Sequence, residues 1–62
     1  MSKFAMNLKK LMIEREMTAA DIARKTGMTQ ATLSRYINDK RIPNINSVIK
    51  IAKALNVPIE LL

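Results

Sequence analysis

Residues 18–38 read T-A-A-D-I-A-R-K-T-G-M-T-Q-A-T-L-S-R-Y-I-N. Thr18 followed three residues later by Asp21 is a helix-start pattern: the hydroxyl accepts a first-turn N–H and the carboxylate favours the positive end of the helix dipole. The segment this predicts runs from Ala19 to about Thr26. Gly27 ends it, because a left-handed backbone is cheapest without a Cβ. Ala23 is small where two helices would have to touch. Thr29 is the expected cap of a second segment, from Gln30 to about Asn38.

The second segment has two unlike faces. At 100° per residue, Gln30, Ala31, Ser34, Arg35 and Asn38 fall within an arc of roughly 140°. Leu33, Tyr36 and Ile37 are assigned to the inward side. The outward face carries no carboxylate before Asp39. A merely structural surface helix more often carries Glu/Lys pairs four apart. Two short helices, a tight turn and an acid-free polar ridge make a helix-turn-helix, a layout that places the second helix in the DNA major groove.

Working outward, the chain reads as further helices and no strand. Phe4, Leu8, Leu11 and Met12 form a stripe on a segment from about Lys3 to Glu16. Residues 39–46, D-K-R-I-P-N-I-N, read as a loop with adjacent cations Lys40 and Arg41. Asn46 or Ser47 is expected to cap a fourth helix, striped by Val48, Ile51, Ala52 and Leu55 and ending near Asn56. A final turn is expected over Ile59–Leu62, with Pro58 at its first position. Ile22, Ala23, Leu33, Tyr36, Val48, Ile51 and Leu55 are the expected core.

Composition sets the bounds. Sixty-two residues make one domain, 1–62, with 48% apolar residues to build its core. A chain of this size buries only about 60% of its unfolded surface. Phe4 and Tyr36 are the only aromatics, so the five methionines are expected to fill gaps. With neither Cys nor His, disulfides and the usual zinc sites are excluded, and no nucleophile–base arrangement suggests an enzyme. No cofactor, metal or small-molecule substrate is implied. No apolar run approaches the roughly 20 residues that cross a bilayer, and no signal-like apolar stretch follows Lys3. The formal charge of +6 attracts polyanions, but it equally describes a well-solvated surface.

The stretch I-A-R-K-T-G-M-T-Q-A-T-L-S-R-Y-I-N-D-K-R-I-P, followed by V-I-K-I-A-K-A-L-N-V-P-I-E-L-L, closely resembles the phage repressor and Cro family of XRE-type helix-turn-helix proteins. The similarity runs from Leu8 to Leu62. It implies an all-α, five-helix domain that binds operator DNA as a homodimer and regulates transcription, in the cytoplasm of a bacterial or phage-infected cell. The base contacts it implies fall on Gln30, Ala31 and Arg35, with Ser34 between them. Its phosphate contacts fall on Thr18 and Ala19, on Thr29, and on Asn38, Lys40 and Arg41.

Each position has a plainer alternative. Arg35 can read guanine, or bind phosphate, or pair with a surface carboxylate. Gln30 can read adenine or simply be solvated. Ala31 can meet a thymine methyl, and Ser34 a base edge or a phosphate. Thr18 and Thr29 cap their helices whether or not N–H groups beside them meet phosphate. Ile42, Pro43, Ile45, Val57, Pro58, Leu61 and Leu62 form either a dimer patch or a cover for the small core. The same scaffold also serves as a protein-interaction module, such as an antitoxin.

The chain departs from the family at named positions. Many members have glycine where Glu16 and Asp39 stand; a residue with a Cβ can hold φ > 0 there only at a cost, which Asp bears better than Glu, so the helix ends at these points stay open. Several relatives bury an Arg–Glu pair at the positions of Met12 and Ile37. Here both are apolar, and they are expected to touch in the core.

Overall fold

Every α-helix begins at a side-chain oxygen. The computed structural model describes residues 2–62 and contains α1 (Lys3–Glu14), α2 (Ala19–Thr26), α3 (Gln30–Ile37) and α4 (Ile45–Leu55). Ser2, Thr18, Thr29 and Asn44 accept hydrogen bonds from the backbone N–H of Ala5, Asp21, Thr32 and Ser47, at 3.2, 3.1, 3.1 and 2.8 Å. Each cap satisfies an N–H that the helix itself leaves unpaired. The cap of α4 is therefore Asn44, not Asn46 or Ser47. Ser47 is the donor to that cap, and Asn46 lies inside the first turn.

The helix ends follow one rule. Gly27 takes φ 78°, and three residues with side chains take the same left-handed conformation: Glu16 at 53°, Asp39 at 60° and Asn56 at 56°. Around each of these three, two backbone N–H groups turn back to the last carbonyls. Glu16 and Met17 bond Ile13 and Met12, Asp39 and Lys40 bond Tyr36 and Arg35, and Asn56 and Val57 bond Lys53 and Ala52, all between 2.8 and 3.2 Å. This is the Schellman closure. It ends α1 at Glu14, two residues before the expected end. The fifth expected segment is a single 3-10 turn, Ile59–Leu61, and Pro58 stands just outside it in extended conformation.

A left-handed L-residue costs about 1–2 kcal/mol, while glycine costs about 0.5–1 kcal/mol in unfolded-chain entropy. Glu16→Gly is therefore expected to stabilise the domain by about 0.5–1 kcal/mol, read as a rise in Tm by circular dichroism. An unchanged or lower Tm would mean that the glutamate side chain offsets its own strain.

The core gathers Leu8 and Leu11 of α1, Ile22 of α2, Leu33 and Tyr36 of α3, Ile51, Ala52 and Leu55 of α4, and Val57. Ala5 is fully buried as well. Phe4 meets the Tyr36 ring edge-on, with centroids 6.1 Å apart. Ala23 and Val48 are half-buried. Met12, Met17 and Met28 pack against the core from its margin, whereas Met6 is exposed. No polar side chain is buried among the described residues.

Ile37 corrects the two-faced reading of α3. It is half-buried, on the flank. Seven residues beyond Gln30 at 100° each return it to within about 20° of Gln30, so it cannot lie opposite the polar ridge. Ile37 and Met12 nevertheless share one apolar hollow with Ile13 and Met17. Both pack against the core, at its edge and not within it.

Candidate nucleic-acid interface

The turn between α2 and α3 fixes the site. Gly27 donates its N–H to the Ala23 carbonyl at 2.9 Å, and no atom crowds the place a Cβ would take. Its backbone conformation, and not lack of space, is what disfavours other residues here. α3 then lies with Leu33 and Tyr36 inward and Gln30, Ala31, Ser34 and Arg35 exposed. Asn38, just past the helix, donates from Nδ2 to Ser34 Oγ at 3.2 Å. The Thr29 and Thr32 hydroxyls lie 3.0 Å apart on the helix start.

Two helix N-termini open beside this ridge. The α2 start is a reciprocal capping box: Thr18 Oγ1 accepts from the Asp21 N–H, and Asp21 Oδ2 accepts from the Thr18 N–H at 2.9 Å. The Ala19 and Ala20 N–H groups keep no partner among the described residues, and the same holds for Gln30 and Ala31 at the α3 start. Unpaired N–H groups at a helix start suit an anion without any charged side chain. Asp21 also pairs with Arg24 at 2.7 Å. The Thr18 N–H foremost, and then Arg24, hold the Asp21 carboxyl below its ordinary pKa.

Lys40 and Arg41 follow in the exposed loop after α3. Like Arg35, neither makes a side-chain bond to a carboxylate among the described residues. The loop itself is tied down: the Lys40 N–H bonds the Arg35 carbonyl at 2.8 Å, and Asp39 Oδ2 accepts from the Ser2 N–H at 2.9 Å. The second tie spans 37 residues and left no trace in local sequence pattern. Arg24 lines a hollow with Gln30 between α2 and α3.

The apolar residues divide into two groups. Ile42, Ile45 and Leu61 are 86%, 63% and 47% exposed, and Pro58 is exposed with them. Pro43 is half-buried. Val57, however, belongs to the core, and Leu62 packs against it. Within one copy these two cover the core, and the Asn56 closure turns Val57 inward.

A family model described as Helix-turn-helix matches residues 8–62 of this chain. The chain belongs to the XRE-type helix-turn-helix family. The family is one of DNA-binding helix-turn-helix regulators. The match includes α4 and the final turn as well as the α2–α3 pair. The chain is also similar to the Replication factor C small subunit of Thermococcus kodakarensis, 48% identical over 40 residues. That stretch is 64% of this chain and only 5% of that protein, so the chain spans about a twentieth of its length. No solved structure matches the chain. Among the described residues, no helix is long and apolar enough to cross a membrane.

Proposed function

We propose that two copies of this domain bind a near-palindromic operator and act as a repressor or Cro-like regulator. One observation carries the reading: α3 presents Gln30, Ala31, Ser34 and Arg35 to solvent on a ridge free of carboxylates. Such a ridge can enter a major groove without repelling the phosphates on either side. Arg35 donates twice to guanine O6 and N7, Gln30 bonds adenine N6 and N7, Ala31 meets a thymine methyl, and Ser34 touches a base edge or phosphate. The N–H groups at the starts of α2 and α3, together with Asn38, Lys40 and Arg41, hold the backbone on both sides.

The dimer reading rests on exposed Ile42, Ile45, Leu61 and Pro58 and on half-buried Pro43. Apolar residues this exposed gain by meeting a second copy. Two recognition helices would then lie about 34–36 Å apart, one turn of DNA.

Selection of bound sites from a random duplex pool, at several salt concentrations, tests the whole reading. An enriched, two-fold-related motif is expected. No preferred duplex at any ionic strength would sink it, and tight binding to a co-encoded protein without DNA would favour the antitoxin-like alternative. Lys40→Ala should weaken selected and random duplexes alike. Two lost phosphate contacts per dimer should flatten the slope of log K against log salt by about 1.8. A loss confined to the selected site would instead make Lys40 a base reader.

A further inference from the structure

Asp39 pays two costs where it stands. Its φ of 60° is one that glycine adopts freely and that asparagine bears as well as aspartate. It also sets a carboxylate directly before Lys40 and Arg41, in the loop that the proposed reading lays along the phosphates. A solvated loop residue at this point would be better as glycine on both counts. What the aspartate gains is Ser2: Oδ2 accepts the Ser2 N–H at 2.9 Å, while Ser2 Oγ caps α1 by accepting from Ala5. Bonds from Ser2, its hydroxyl foremost and then its N–H, hold the Asp39 carboxyl below its ordinary pKa, so it stays ionised as an acceptor. Lys9, on the same side of α1, adds to that effect.

We propose that Asp39 is a positioning residue for DNA binding: by latching the start of α1 to the end of α3, it fixes the loop that carries Lys40 and Arg41. The two ends of the latch are built for it. Ser2 is held in place by its cap on α1. Asp39 is held in place by the Schellman closure, in which its own N–H bonds Tyr36 and that of Lys40 bonds Arg35. The loop is therefore gripped from both the helix it leaves and the start of α1. The inference rests on reading Lys40 and Arg41 as phosphate contacts.

Ser2 has φ −67°, which is the angle a proline ring imposes. Ser2→Ala removes the cap and the hydroxyl's hold on Asp39 but keeps the N–H bond, whereas Ser2→Pro removes all three. The difference between the two isolates the N–H bond of the latch. On a duplex taken from site selection, and at a temperature where both variants are fully folded, Ser2→Pro should bind about 3- to 5-fold more weakly than Ser2→Ala. In the free protein, amide exchange at Lys40 should quicken by a similar factor in Ser2→Pro while exchange at Leu33 matches that of Ser2→Ala. A general loss of stability would move both amides together. In an Asp39→Gly background, which has no acceptor, the two Ser2 variants should become equal.

Equal affinities of Ser2→Pro and Ser2→Ala beside native Asp39 would overturn the latch through the Ser2 N–H, which is the bond the proposal rests on. So would a difference that survives Asp39→Gly. Failure of the underlying reading looks different: Lys40→Ala and Arg41→Ala would then leave both affinity and salt slope untouched. In that case the exchange rates still report the bond, but its role in DNA binding is gone.

Discussion

Arg35→Ala is expected to weaken binding to the selected duplex by at least about 30-fold, while binding to random DNA falls only a few-fold. The asymmetry follows from geometry. A guanidinium that donates twice to guanine contributes about 1–3 kcal/mol of discrimination. Two half-sites double that, and about 2 kcal/mol already corresponds to roughly 30-fold. On random DNA the same side chain meets phosphate, where one cation adds little and salt screens it. The fold should not confuse the result. Arg35 is exposed, makes no side-chain bond among the described residues, and its carbonyl holds Lys40 whatever the side chain is. Alanine is also a good helix former.

Arg35→Lys sharpens the test. An ammonium keeps the charge but lacks the planar fork. It should restore binding to random DNA and leave the selected site weak. Equal losses on both duplexes in Arg35→Ala, or full recovery with lysine, would reduce Arg35 to a phosphate contact. Either result would move the burden of readout to Gln30 and Ser34.

The parts of this molecule that were legible in sequence are those set by neighbours three or four residues away. Thr18, Asp21, Gly27 and Thr29 each act on a backbone group within one turn, and α2 begins and ends where they predict. The ridge of α3 follows from angular spacing alone. The left-handed ends of α1 and α3 were harder, since Glu16 and Asp39 are poor intrinsic choices; only the family's glycines at those positions pointed to them. Asn44 is not singled out by its sequence, because N-I-N offers two asparagines and the helix stripe does not distinguish them. Val57 and Leu62 show a different limit. An apolar residue at a terminus looks the same whether it covers the core or meets a partner, and only the three-dimensional course of the chain after Asn56 shows that these two pack on the core. The Ser2–Asp39 bond lies wholly beyond local pattern.

Leu33→Ala should be the most damaging of these changes, and by a different route. Leu33 is fully buried on the inner side of α3, directly beneath the ridge. Deleting a buried leucine side chain costs about 2–5 kcal/mol. A folded domain has about 0.05–0.15 kcal/mol of stability per residue, which for this length is roughly 3–9 kcal/mol in all. A large part of that margin would go, and at about 4–8 °C per kcal/mol the Tm should drop by at least about 8 °C. At 37 °C both selected and random DNA binding should then fail together, because the unfolded fraction binds neither. Cooling should restore both, with the ratio between them unchanged, since no reading group has been touched. That is the opposite of the Arg35→Ala pattern, in which the ratio collapses while the Tm stays put. A Tm shift of only a few degrees in Leu33→Ala would mean that the core does not depend on α3, and then nothing would hold the ridge at the angle that DNA reading requires.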